Sequence, residues 1–255
     1  RSIGGSEYYD LVSAYGYGGA IFSKNTRSHV LLYTSLLDKL SQLNYVSLFT
    51  NNHPLLPFSD YSGESASEVV FASLSSGYDC ILKNMRKVHR RDIKNSINKG
   101  MTVSISTSIP DLDNFKSIYE KTMKNLNAGG FYFFSDEFYL KLINTSEFET
   151  RIWTVMYEGK SISSALIIRC GDYSQYFLSG TDPEFYNLYP NKLLLASSME
   201  RLCDEGCKYF LLGGGVSGSR DGLFDFKYGF TRKTSKLYQC KEILNAQEYE
   251  RLSSD

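Results

Sequence analysis

The stretch LLGGGVSGSRDG, Leu211–Gly222, sets Gly213, Gly215 and Gly218 at the G-x-G-x-x-G spacing directly after the apolar run KYFLL. A dinucleotide loop needs such glycines to close the first strand of a βαβ unit and to open a helix whose N–H groups hold a pyrophosphate. Here they follow a late strand and lead into SRDGLFDFKYGF, glycines and aromatics without the pattern of a sustained helix. We expect them instead to carry the chain across a cleft and deliver Asp221 and Lys227. Lys227 stands among Phe224, Phe226 and Phe230. A lysine in low-dielectric surroundings supplies a donor for an oxygen that becomes negative during a reaction. A snorkelling lysine on an amphipathic segment has the same pattern. Tyr228, next in the chain, is a candidate to protonate a leaving group.

Asp182, in SGTDPEF, is a second candidate acid–base group, with Ser179 just upstream as a substrate contact; an Asp before Pro also forms turns. Between Lys83 and Lys99 seven basic residues face one acid, Asp92. Arg86 and Arg90 of this run are candidates to grip phosphates of a nucleotide, CoA or tRNA, and a solvated connector helix is the alternative. In AYGYGG, Tyr15, Tyr17 and Gly18 suit either a close ligand approach or a tight turn. Asn191 and Lys192 open a helix whose N-terminus is a further binding candidate. His29, His53 and His89 are too dispersed for a metal site or a triad, and Cys203 with Cys207 lacks a second pair, so no metal is expected.

The elements that must position these groups follow from periodicity. From Met101 onward the order is a strand, a helix, a short helix opened by Ser135, three β-rich runs forming an antiparallel meander, a helix from Pro190, a parallel strand, a short connection and a terminal strand. The first hundred residues repeat the strand, loop, helix, strand half of that plan: YYDLVSAYGYGG, a helix from Arg27, then YVSLFTNN and EVVFASLSS. The expected architecture is α/β (α+β), with tandem mixed sheets flanked by helices and a first copy lacking its opening elements. Its segments are 1–82, a basic connector helix 83–100, and 101–255.

Composition narrows the partners. Lys plus Arg and Asp plus Glu number 28 each, so no chain-wide field favours DNA or acidic membranes, and a basic site must be local. No run of about 18 apolar residues exists, and five scattered cysteines suit a reducing cytoplasm.

This element order is that of GCN5-related N-acetyltransferase (GNAT) domains. The blocks DLVSAYGYGG, MRKVHRRDIKNSINKG, YEKTMKNLNAGGFYFFSDEFY, YFLSGTDPEF, PNKLLLASSMERLCDEGCKYFLLGGG and DGLFDFKYGF resemble, in order, those of FemABX-like acyltransferases, which are tandem GNAT-fold proteins. The resemblance implies an N-acyltransferase with Lys227 and Phe226 at the acyl-transfer site and Tyr15–Gly18 bordering the cleft between domains. It implies acyl-CoA or aminoacyl-tRNA as cosubstrate, with no permanently bound cofactor. It further implies an amine acceptor on a cell-envelope or nucleotide-sugar-linked molecule, with tRNA and lipid-linked precursors as candidate partners. Two departures stand out. There is no Q/R-x-x-G-x-G/A loop before Asn191, and TNNHPLL has Thr50, Asn51 and Asn52 where the family pattern expects a basic residue. The competing expectation is a non-catalytic GNAT-like module that binds a nucleotide sugar or a protein.

Overall fold

The computed structural model describes residues 1–22, 28–56 and 64–254; Arg27, where the first helix was expected to begin, lies outside them. In chain order the elements are β1 (Tyr9–Val12), α1 (His29–Ser41), β2 (Tyr45–Asn51), β3 (Glu64–Ser73), α2 (Tyr78–Asn84), α3 (Lys87–Asn98), β4 (Thr102–Ser106), α4 (Ile109–Asn125), α5 (Asp136–Asn144), β5 (Glu149–Tyr157), β6 (Lys160–Cys170), β7 (Tyr173–Thr181), α6 (Pro190–Asp204), β8 (Tyr209–Gly213), α7 (Gly222–Thr231), β9 (Thr234–Ile243) and α8 (Ala246–Ser253). Short 3-10 turns add Gly130–Tyr132, Pro183–Leu188 and Val216–Gly218. Two compact units form, one from Arg1–Val69 with Ser235–Asp255 and one from Val70–Thr234.

In the first unit β1 runs parallel to β2, and β2 pairs antiparallel with β9 from Ser47↔Ile243 to Asn51↔Gln239. Helix α1 starts where Ser28 accepts a hydrogen bond from the Leu31 amide. The sequence reading ended on a strand and missed α8, although its signal is present. Asn245 caps it by accepting from the Glu248 amide, the polar-x-x-Glu pattern of a helix start.

The second unit holds the sheet β3-β8-β7-β6-β5-β4, with β3 contributing from Val70. The expected meander is present as antiparallel β5, β6 and β7, β4 adds antiparallel to β5, and β8, reached through α6, lies parallel to β7. Strand alternation sorts the core into two layers. Ile152, Leu166 and Leu178 join Phe115, Tyr119 and Tyr139 of α4 and α5, whereas Trp153, Ala165 and Ile167 join Leu194, Leu195 and Met199 of α6. The run ISSALI is therefore buried on both faces, which explains its lack of exposed alternate positions. Ser108 and Ser135 cap α4 and α5, the latter as expected.

Two local expectations are corrected. The segment 83–100 is not one connector helix. The chain turns extended at Met85 and Arg86 between α2 and α3, and α3 buries His89, Asp92, Ile93 and Ser96 within the second unit. The aromatic segment after the glycines is a ten-residue helix, α7, because Asp221 supplies a cap that composition alone concealed.

The strand that borders the site is interrupted twice. Leu166 pairs with Leu178 but Ile167 with Tyr176, so Phe177 is an extra residue that bends β7. β7 pairs with β8 only over Tyr173–Gln175, so its last six residues have no β8 partner and the two strands part. At Gly180 the α4 backbone comes so near that a Cβ would lie 2.8 Å from the Tyr119 Cα.

Candidate functional site

The glycine loop is explained by local geometry. Gly213 and Gly218 have φ of 83° and 78°, conformations that glycine adopts without strain. Gly215 has a different reason: a Cβ there would run into the Ser219 carbonyl and the Asp221 carboxylate. That carboxylate accepts from the Val216 and Phe224 amides, each at 2.9 Å, and these backbone bonds hold it below the usual carboxylate range. The protein's own carboxylate thus occupies the N-terminus of α7, where a dinucleotide would need its phosphate. Gly215→Ala is expected to destabilise the protein by about 1–3 kcal/mol, the ordinary cost of overpacking, read as a lower urea midpoint at unchanged m-value.

Past this loop, Lys227 turns inward from α7 and donates to the Gly214 carbonyl at 2.7 Å, with 8% of its surface exposed. Burial disfavours the ammonium and draws its pKa down to about 8, against the opposing pull of Asp221. Phe224 and Phe230 are buried on the same helix. Tyr228 stacks on Phe224 at 6.0 Å and lies beneath the Arg86 guanidinium at 5.9 Å.

A cleft of about 410 Å³ lies against a different face of α7, lined by Arg86, His89, Tyr189, Asn191, Lys192 and Phe226 among others. It brings together four predicted binding residues: Arg86, Asn191, Lys192 and Phe226. Arg86 is half-exposed, 3.5 Å from the Asp225 carboxylate and donating to the Asp225 carbonyl at 3.3 Å, and its exposed guanidinium can serve an incoming anion. Lys192 is buried; its Nζ donates to Asp92 at 2.6 Å and stands 4.3 Å from the Tyr189 ring centroid. Burial opposes ionisation of Asp92, but hydrogen bonds from Lys192 and Arg91 outweigh it and hold the carboxyl below its usual range.

The other predicted residues sit elsewhere. Asp182 caps the turn at 183–188 by accepting from the Glu184 amide and binds Lys121 Nζ through both oxygens, at 2.8 and 2.7 Å. Burial opposes its ionisation, and the Lys121 hydrogen bonds overcome it. Ser179 contacts Tyr176, whose phenol burial pushes up to about 12. Arg90 donates to the carbonyls of Leu82, Lys83 and Met85, closing α2. Tyr15, Tyr17 and Gly18 belong to the first unit, where Tyr17 meets His53 edge-on at 6.0 Å and Gly18 lies against Ser13. Among the described residues no group of three or more His, Cys, Asp or Glu could hold a metal ion, and no helix is long and apolar enough to cross a membrane.

Sequence reasoning missed two residues of the cleft region, His89 and Asp92. Their signal was periodicity: His89, Asp92, Ile93 and Ser96 fall on one face of α3, an inward stripe hidden by the basic residues around it.

With this geometry in place, similarity identifies the class. Residues 83–228 match the Acetyltransferase (GNAT) domain family, and the chain belongs to that family. Its fold is similar to that of FemX (TM-score 0.66, 14% identity, 89% of this chain and 79% of that one). It is also similar to a domain described as the C-terminal part of a lysylphosphatidylglycerol synthetase from Agrobacterium fabrum (TM-score 0.58, 13% identity, 89% and 76%). A third likeness is a conserved Bacteroides thetaiotaomicron protein of unknown function (TM-score 0.59, 10% identity, 83% and 74%). No curated protein matches the chain in sequence. The expected FemABX-like, GNAT-type α/β fold is therefore the observed one.

Proposed function

We propose that this protein is an N-acyltransferase that moves an aminoacyl group from an ester-linked carrier, aminoacyl-tRNA, onto an amine of a cell-envelope or nucleotide-sugar-linked acceptor in the cytoplasm. The observation that carries the choice of donor is the turn before α6. A CoA pyrophosphate needs several free backbone N–H groups at this helix start. Here Pro190 at the first helical position has none, the Lys192 amide is spent on the Tyr189 carbonyl, and Phe185 and Leu188 of the preceding turn are packed against the core. The charge for a carrier phosphate comes instead from side chains, with Arg86 the available one.

In the reaction the acceptor nitrogen attacks the ester carbonyl, the C–N bond forms as the C–O bond breaks, and the proton lost by the amine goes to the departing ribose oxygen. Lys227 has three donors and Gly214 uses one, leaving two for the carbonyl oxygen as it turns negative. Phe226, its neighbour in the chain, lines the cleft. Tyr228 is the candidate to pass the proton to the leaving oxygen.

The test offers the protein a mixture of labelled aminoacyl-tRNAs or labelled acetyl-CoA, with UDP-linked amine acceptors, and detects products by mass spectrometry. Aminoacyl product is expected, with a KM for tRNA that rises steeply with salt. Acetylated product alone would overturn the donor assignment.

A further inference from the structure

His89 belongs to no triad or metal cluster, yet α7 packs around it. It lies in the first turn of α3, 4% exposed, and its Nε2 is 2.9 Å from the Phe226 carbonyl. A carbonyl only accepts, so Nε2 carries the hydrogen. The ring meets Phe230 edge-on at 4.7 Å. It also fills the space beside Gly229, where a Cβ would press into the imidazole, and the adjacent Arg86 amide donates to the Gly229 carbonyl at 2.8 Å. Helix α7 is therefore gripped at residues 226, 229 and 230 from the α3 side. Successive residues of a helix differ by about 100° around its axis, so fixing Phe226 fixes the direction of Lys227.

We propose that His89 is a positioning residue that sets the rotation of α7 and thereby holds Lys227 against the Gly214 loop. His89 touches no reacting atom; it acts through the Phe226 carbonyl. Only the neutral ring fits this role. Nδ1 is buried without a hydrogen-bond partner, so a second N–H would have no acceptor there. Burial, the largest influence, and the positive charges of Lys192 and Arg86 disfavour protonation, while the Phe226 carbonyl and Asp92 on α3 pull the other way and Asp225 of α7 lines the same cleft.

The functional consequence rests on the acyl-transfer reading of Lys227, whereas the positional claim can be read without any turnover. The experiment follows the Nζ resonance of Lys227 by NMR across pH in protein carrying isotope-labelled lysine, assigned by its loss in Lys227→Met. In the unsubstituted protein the midpoint is expected near 8. In His89→Leu, and in Gly229→Ala, which displaces the ring while keeping it, the midpoint should climb toward the ordinary lysine value of about 10.4 as the amine leaves its buried seat. His89→Gln, which keeps an N–H donor, should stay close to the unsubstituted protein. Where turnover is measured, the first two variants should lose about 100-fold in kcat at little change in KM. If His89→Leu fails to fold, Gly229→Ala decides. A Lys227 midpoint that stays put in the folded variants overturns the proposal. A shifted midpoint in a protein that transfers no acyl group upholds the positioning role and refutes the function proposed above.

Discussion

Lys227→Met is expected to lower kcat by about 10²–10³-fold, the loss seen when one donor to a developing oxyanion is removed, with KM nearly unchanged. Methionine keeps the apolar stem and is one heavy atom shorter, so the buried seat of Lys227 stays largely filled. What disappears is the ammonium, and two pH signatures identify it. The acceptor must be neutral, so activity rises with pH, and the Lys227 ammonium must be charged, so activity falls as pH passes about 8. That falling limb should be absent from the residual activity of Lys227→Met. The second signature is in stability. Below pH 8 the lysine is charged in both the folded and the unfolded chain, and the folded state bears the whole cost of burying it. Between about 8 and about 10.4 the folded protein has released the proton and the unfolded chain still holds it, so stability rises with pH by about 3 kcal/mol from this group. Urea titrations across that window should show the rise in the unsubstituted protein and its loss in Lys227→Met. An unchanged pH slope would mean that Lys227 is solvated, and unchanged turnover would remove it from the site.

Much of this arrangement was legible in the sequence, and the reasons are physical. Helix α4 announces itself through Leu112, Phe115, Ile118, Tyr119 and Thr122, all of which are buried. The meander is visible because each strand is bounded by a turn, as at Glu158 and Gly159, where positive φ reverses the chain. Gly213 and Gly218 have the positive φ that their run of glycines suggests, but α7 was not legible. Its cap, Asp221, follows a glycine-rich loop and Arg220, and its aromatics at 224, 226, 228 and 230 alternate with the period of a strand, which conceals the helix. The partners across the fold were not legible at all. Asp92 and Lys192 are separated by 100 residues, and nothing local tells that the two meet. Only the packing of α3 against α6 brings them together, and periodicity can show that a residue points inward without showing what it meets.

That pair carries the largest stability prediction. Two ions removed from water are held at 2.6 Å, with Arg91 as a second donor to Asp92 at 2.9 Å. The attraction offsets the desolvation of both ions only while both are present. Lys192→Met leaves a carboxylate buried at 4% exposure with a single, largely exposed partner, and is expected to cost about 3–5 kcal/mol. Asp92→Ala, which strands the buried ammonium, should cost a similar amount. The double variant Asp92→Ala/Lys192→Met removes both ions and should be more stable than either single one, so the cycle returns a coupling energy well away from zero. Acid provides an independent reading. The folded-state pKa of Asp92 lies below its ordinary value, so its contribution to stability is complete above about pH 4 and is lost as pH falls through the folded value. The double variant should lack that part of the acid sensitivity. The pair also bears on the cleft. Lys192 holds the Tyr189 ring at the start of α6, where Tyr189 adopts a left-handed φ of 54° that the surrounding contacts must maintain. A double variant that is stable but has a raised KM would assign the pair to shaping the cleft as well as to holding α3 on α6, whereas additive single effects would show that the two charges are not coupled.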